Sequence, residues 1–155
     1  MRPYSNHQAK LFATQLTLRQ PANSIDKLSH AIASARVDLN PHQVDAALFA
    51  VRSPLSKGVI LADEVGLGKT IEAGIVISQK WAERKRKLLI IAPATLRKQW
   101  QQELMDKFSI PSTILENTSY KQLKKDGKLA SGDTLLICSY NFAANKADVL
   151  EDIAW

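Results

Sequence analysis

The chain has 155 residues, 45% of them hydrophobic and 23% charged, a profile that excludes a disordered or fibrous chain and suits one soluble globular domain with one core. Its 21 Lys and Arg against 15 Asp and Glu give a net charge of +6, which points toward polyanionic partners but says nothing of the fold. A lone cysteine, Cys138, excludes an intrachain disulfide and a Cys-rich metal site, and His7, His30 and His42 lack metal-ligand spacing. No apolar run approaches the roughly 18 residues of a membrane span, and the opening "MRPYSNHQAKLF" lacks the build of a signal peptide. No membrane contact and a cytoplasmic address are therefore expected.

In chain order, residues 1–54 read as three short helices. The first spans about 5–19 and is stopped by Pro21; the second starts at Ser24, with Ile25, Leu28, Ile32 and Ala35 on one face. The third has a clear start, because Asn40 can cap, Pro41 suits the first helical position, and Val44, Ala47, Leu48 and Val51 form an apolar stripe. Pro54 closes it. From Lys57 short apolar runs alternate with amphipathic segments, the mark of strand-helix-strand units around a parallel sheet. Strands are predicted at 59–62, 88–92, 113–115 and 134–138, and helices at about 69–84, 95–108, 119–125 and from 146. Leu96, Trp100, Leu104 and Phe108 recur at every fourth position in the second of these helices, and Cys138 reads as a buried strand thiol. The basic runs "ERKRK" (83–87) and "KQLKKDGK" (121–128) read as solvated helix ends.

The segment "GVILADEVGLGKTIEAG" (58–74) carries the chemistry. A triphosphate is a dense negative charge, and a helix N-terminus offers unpaired amides and roughly half a positive charge from the macrodipole. Gly66 and Gly68 let the backbone pass close to the phosphates; Lys69 adds a charge for the β and γ phosphates, and the Thr70 hydroxyl suits Mg²⁺. A chance G-x-G-K-[ST] arises in on the order of one in a few hundred chains of this length, and here it also follows an apolar run and opens a helix. The strict pattern asks for glycine at position 63, where this chain has Asp63.

"ILADEVGLGKTIEAG" resembles motif I of the SWI/SNF-related DNA translocases of helicase superfamily 2, in which an Asp-Glu pair ahead of Gly-x-Gly-Lys-Thr is usual. Asp63 and Glu64 therefore strengthen the resemblance. It implies an α/β P-loop NTPase fold, an incomplete RecA-like parallel sheet over residues 38–155, preceded by a small helical segment at 1–37. It also implies ATP and Mg²⁺ as cofactors, with Asp63, Glu64, Val65, Gly66, Leu67, Gly68, Lys69 and Thr70 around the phosphates and Thr70 on the metal. "DLNPHQVDAALFA" is similar to the family's adenine-recognition segment, with Gln43 as the reader, since an amide can donate to and accept from the adenine edge at once. The family often has Arg where this chain has Asn40.

"LLIIAPATLRKQWQQEL" is similar to motif Ia, which implies contacts to a DNA backbone from Thr95, as helix cap, and from Arg97 and Lys98. Trp100 lies on the apolar stripe, so core packing is expected of it rather than base stacking. "LLICSYNFAAN" is similar to motif Ib, with Ser139 and Tyr140 emerging into a loop at a strand end. The implied partner is double-stranded DNA, together with the remainder of such an ATPase or another protein.

Hydrolysis also needs a second carboxylate for Mg²⁺, a group to orient the attacking water and usually an arginine. In the family the acid pair lies on a strand shortly after motif Ib, and the sequence reaches "LEDIAW" without it; motif III and the second lobe are not seen either. The family's later strands lie between the loop strand and the motif Ia strand, so the sheet of this chain is expected to have a gap. Binding of ATP-Mg²⁺ and DNA backbone without turnover is the expectation. The rivals are a non-enzymatic truncated remnant or DNA- or partner-binding module, and a small self-contained P-loop kinase or NTPase.

Overall fold

The computed structural model describes residues 36, 39–52, 58–62 and 68–155. The helices expected within 1–37, the stop at Pro54 and the loop residues Asp63, Glu64, Val65, Gly66 and Leu67 lie outside the described residues. Helix α1 (Pro41–Arg52) starts where the Asn-Pro pair predicts, and Gln43 completes the start: its side-chain oxygen accepts from the Asn40 amide at 3.2 Å, half of a capping box. Helix α2 (Lys69–Ala82) follows Gly68 and packs against α1.

Strand β1 (Leu89–Ala92) leads through a 3-10 turn (Ala94–Leu96) into helix α3 (Arg97–Phe108). After it come β2 (Ser112–Ile114), α4 (Asn117–Lys125), β3 (Leu135–Ser139), α5 (Tyr140–Asn145) and α6 (Ala147–Glu151). The three strands are parallel in the order β1-β3-β2, with Leu89 opposite Leu136 and Thr113 opposite Leu136 on the other side.

The central strand explains its own composition. Leu135 and Ile137 face a core built with Ile71, Ile75, Leu104, Phe108 and Ile110, whereas Leu136 and Cys138 face Leu115, Leu123 and Phe142 on the other side. A parallel strand covered on both faces has no solvent side, so its sequence reads as an unbroken apolar run. Each fully buried Leu or Ile contributes about 1.5–3 kcal/mol relative to exposure. Trp100 packs against the first core, as the stripe predicts.

Three expectations are corrected. The strand predicted at 59–62 does not form: residues 58–62 are irregular, and Ile60 is 88% exposed. A strand is held by its neighbour's hydrogen-bond ladder and the two faces covering it, and this apolar run meets neither among the described residues. Thr95 is not a helix cap. Pro93 is extended (φ −54°, ψ 143°) and its carbonyl accepts from Leu96 N at 2.9 Å, so the chain turns earlier, Thr95 sits inside the 3-10 turn and α3 starts only after Leu96. Ser139 and Tyr140 do not enter a loop: Ser139 caps α5 by accepting from Phe142 N at 3.2 Å, and Tyr140 is the first helical residue.

At the end of α2, Glu83 accepts from Gln79 Nε2 at 2.8 Å and pairs with Lys85 at 3.0 Å. Burial by itself pushes the Glu83 carboxyl up, but the Gln79 and Lys85 hydrogen bonds and the nearby Lys85 and Lys80 charges outweigh it and hold the pKa below 4.5. A depressed folded-state pKa gives stability that is present above the unfolded value and lost as pH falls through the folded one. Thermal unfolding midpoints should therefore fall below about pH 4.5 more steeply in wild type than in Glu83→Gln, which already lacks this contribution at neutral pH.

Candidate functional site

Gly68 immediately precedes α2, with φ 92° and ψ 36°, a left-handed conformation open to glycine and strained for other residues. Its carbonyl accepts from Ile71 N at 2.7 Å and Glu72 N at 3.2 Å, so the helical ladder begins there. Lys69 and Thr70 are the first two helical residues, both half-buried, with their amides ahead of the ladder at the positive end of the macrodipole.

Gln43 comes to the same place from α1. It is 5% exposed, and a Cβ built on Gly68 would lie 2.5 Å from its Nε2. The side-chain amide thus rests on the bare Cα of the loop glycine, with its oxygen toward Asn40 N and its nitrogen toward Gly68. Two residues 25 positions apart in sequence meet because α1 packs along α2.

Gln43, Gly68, Lys69 and Thr70, each marked by the sequence, are thus brought together by the fold. Glu72 carries no such mark, yet it is wholly buried in the first turn of α2, where the macrodipole favours a carboxylate. No sequence signal could have found it, because a glutamate in a first helical turn is ordinary. The described residues contain no group of three His, Cys, Asp or Glu placed to hold a metal ion.

A second set collects at the C-terminal ends of β1 and β3. Ala92 is opposite Ser139, so the Pro93–Arg97 turn and the start of α5 are neighbours, and Thr95, Arg97, Ser139 and Tyr140 share one edge of the sheet. Tyr140 is 60% exposed there. Arg97 is more tied down than sequence suggests: its Nε donates to Ala94 O at 3.1 Å and one Nη lies 3.5 Å from Glu116 Oε1. Burial pushes the neighbouring Cys138 thiol up, partly offset by the Arg97 charge. Lys98 is exposed and turns away, lining a hollow of about 500 Å³ between α3 and β2 with Met105 and Ile114.

The SNF2-related domain family matches residues 7–155. The chain is 35% identical over 164 aligned positions to the RNA polymerase-associated protein RapA of Serratia proteamaculans, covering 97% of this chain and 17% of that protein. It is 39% identical over 114 positions to RapA of Pectobacterium atrosepticum, covering 72% of this chain and 12% of that one. Among solved structures, the SWI2/SNF2 ATPase core of Sulfolobus solfataricus in complex with dsDNA superposes with a TM-score of 0.67 at 24% identity, over 79% of this chain and 25% of that one. The described residues accordingly have an incomplete RecA-like α/β fold, three parallel strands with their helices. With 149 of its 155 residues matched, the chain belongs to the SNF2-related domain family.

Proposed function

We propose that this chain is the ATP-binding part of an ATP-dependent, helicase-like DNA translocase, with residues 38–155 forming part of its first RecA-like lobe and residues 1–37 a helical segment leading into it. The observation that carries the reading is the seat of Gln43 on Gly68, which puts an amide able to read adenine beside a helix end able to hold phosphates. In this reading Gly68, Lys69 and Thr70 hold the phosphates with residues 63–67, and the Thr70 hydroxyl is the side-chain ligand for Mg²⁺. These residues fit the group: a glycine free of Cβ, a lysine and a hydroxyl at the first two helical positions, and a helix of 14 residues behind them. When bound, Mg²⁺ would neutralise charge on the phosphates.

Thr95, Arg97, Ser139 and Tyr140 form the edge we assign to a DNA backbone, with Lys98 beyond it. Contacts of this kind position a duplex without reading its sequence. Among the described residues, the acid nearest the C-terminal end of a parallel strand is Glu116, whose carboxylate already pairs with Arg97 at 3.5 Å and takes part in a capping box with Ser119. The 155 residues are therefore expected to hold ATP-Mg²⁺ without turning it over. The names of the RapA relatives make RNA polymerase a candidate partner of the longer protein.

Calorimetric titration with ATP-Mg²⁺ tests the assignment. Wild type is expected to bind, and Lys69→Ala to lose at least tenfold in affinity while keeping its fold, since a lysine at a helix N-terminus opposes the macrodipole and is not needed for the helix. Equal binding by the two proteins, or binding by neither, would remove the phosphate-loop assignment. DNA binding that is salt-sensitive but indifferent to ATP-Mg²⁺ would favour the non-enzymatic module.

A further inference from the structure

One ion pair spans the ends of the three strands at the edge assigned to DNA. Arg97 follows β1 and Glu116 follows β2, and in the order β1-β3-β2 the central strand separates those two, so the pair reaches across the end of β3. Arg97 Nη1 lies 3.5 Å from Glu116 Oε1. Burial raises the pKa of the Cys138 thiol in the last turns of β3 and the Arg97 charge works against that rise, which sets the guanidinium near this end of the strand.

Glu116 has two tasks, and only one of them needs its charge. Immediately ahead of α4 it takes part in a capping box with Ser119, whose hydroxyl accepts from Glu116 N at 2.8 Å; the side-chain half of that box needs an oxygen acceptor, which an amide supplies as well as a carboxylate. The negative charge serves Arg97, and among the described residues Glu116 has no other ion pair. Arg97 in turn is held without being saturated. Its Nε donates to Ala94 O at 3.1 Å, which folds the stem back on the turn and fixes where the head lies. A guanidinium has five N–H donors in a planar fork, so one contact at 3.5 Å leaves most of that capacity unused. The Glu116 side chain is also 62% exposed, so water screens the pair, and exposed pairs of this kind are weak. A phosphate can take two parallel N–H bonds from the same fork, which is the stronger interaction.

We propose that Glu116 is an internal stand-in for a DNA phosphate: it occupies Arg97 in the DNA-free chain, gives it up when a duplex backbone reaches this edge, and thereby lowers the affinity of the chain for duplex DNA. The proposal rests on the assignment of that edge to DNA. The exchange asks for no movement of the strands, because Glu116 can keep its place in the capping box while the guanidinium head turns to the phosphate.

Fluorescence anisotropy of a labelled duplex, titrated with the whole chain across a range of salt, tests this. Arg97→Gln should weaken binding and flatten the log–log salt slope by about 0.9, the value for one phosphate of B-DNA. Glu116→Gln, which keeps an oxygen for the capping box, should tighten binding about two- to fivefold, the range of an exposed ion pair. Glu116→Asp keeps both the charge and a preferred capping residue but draws the carboxylate back from Arg97, so it should tighten binding as well. In a chain that already carries Arg97→Gln, Glu116→Gln should have little effect, since no guanidinium is left to release. If wild type binds no duplex, or if Arg97→Gln changes neither affinity nor slope, the edge is not a DNA surface and the proposal falls with it. If Arg97→Gln weakens binding while both Glu116 variants leave it unchanged, the edge stands and the stand-in alone is overturned. An equal gain from Glu116→Gln with and without Arg97→Gln would be general repulsion between an acid and the duplex, and would overturn it too.

Discussion

Gly68→Ala is expected to abolish ATP-Mg²⁺ binding and to destabilise the fold by about 2–4 kcal/mol. That figure joins about 1–2 kcal/mol for placing an L side chain in a left-handed conformation to about 1–2 kcal/mol for displacing the buried Gln43 amide from its partners. The two contributions separate in a double variant. Gln43→Ala removes the amide that the new methyl would strike, so Gly68→Ala with Gln43→Ala should be less destabilised than the sum of the single changes. It cannot change the φ of 92°, and nucleotide binding should stay abolished. Urea unfolding and calorimetric titration read the two halves; a Gly68→Ala protein that binds nucleotide like wild type would show that the phosphates are held elsewhere.

This convergence was half legible in the sequence. Gly68, Lys69 and Thr70 announce themselves because a phosphate loop needs glycine, a cation and a hydroxyl in fixed succession, and succession is what a sequence displays. Gln43 is a different case: taken alone it is a polar residue on an amphipathic helix, and only its likeness to an adenine-recognition segment marks it. Its burial at 5% and its rest on Gly68 come from the crossing of α1 and α2, which no local pattern records. The helix around Trp100 and the strand around Cys138 were legible for the opposite reason, since period and apolarity follow directly from burial.

The failures share a cause. "GVILA" is as apolar as "LLIIA", yet only the second becomes a strand, because strand formation depends on a neighbour and the apolar run alone does not supply one. Thr95 has the chemistry of a cap, and the geometry of Pro93 moves the helix start past it. Tyr140 was expected in a loop because strand ends usually open into one; Ser139 instead turns the chain straight into α5. In each case the residue's chemistry is plain from its type, and its position depends on a partner far along the chain or on a neighbour's backbone.

The same dependence on a partner governs Gly74, on the side of α2 that meets α3. A Cβ built there would fall well inside the van der Waals surface of the Phe108 ring, which is 8% exposed and closed in by the core it shares with Ile75 and Leu104. Gly74→Ala would gain about 1 kcal/mol of helix propensity and lose about 1–3 kcal/mol to overpacking. Gly74→Val adds two further carbons and loses most of that propensity gain, so its net cost should reach about 3 kcal/mol or more in urea unfolding. The sign of the coupling identifies the cause: Phe108→Leu should be destabilising alone, yet combined with Gly74→Ala it should leave the protein more stable than the sum of the two changes predicts. Strict additivity would mean that α2 and α3 do not meet at this glycine. If the coupling is present, a second consequence follows, because the Phe108 ring is closed in by the core, so that α2 shifts off α3 to relieve the clash and Gly68 and Lys69 at its N-terminus move with it. Gly74→Ala should then weaken ATP-Mg²⁺ binding from a position that touches no nucleotide, and Phe108→Leu in the same chain should restore part of it.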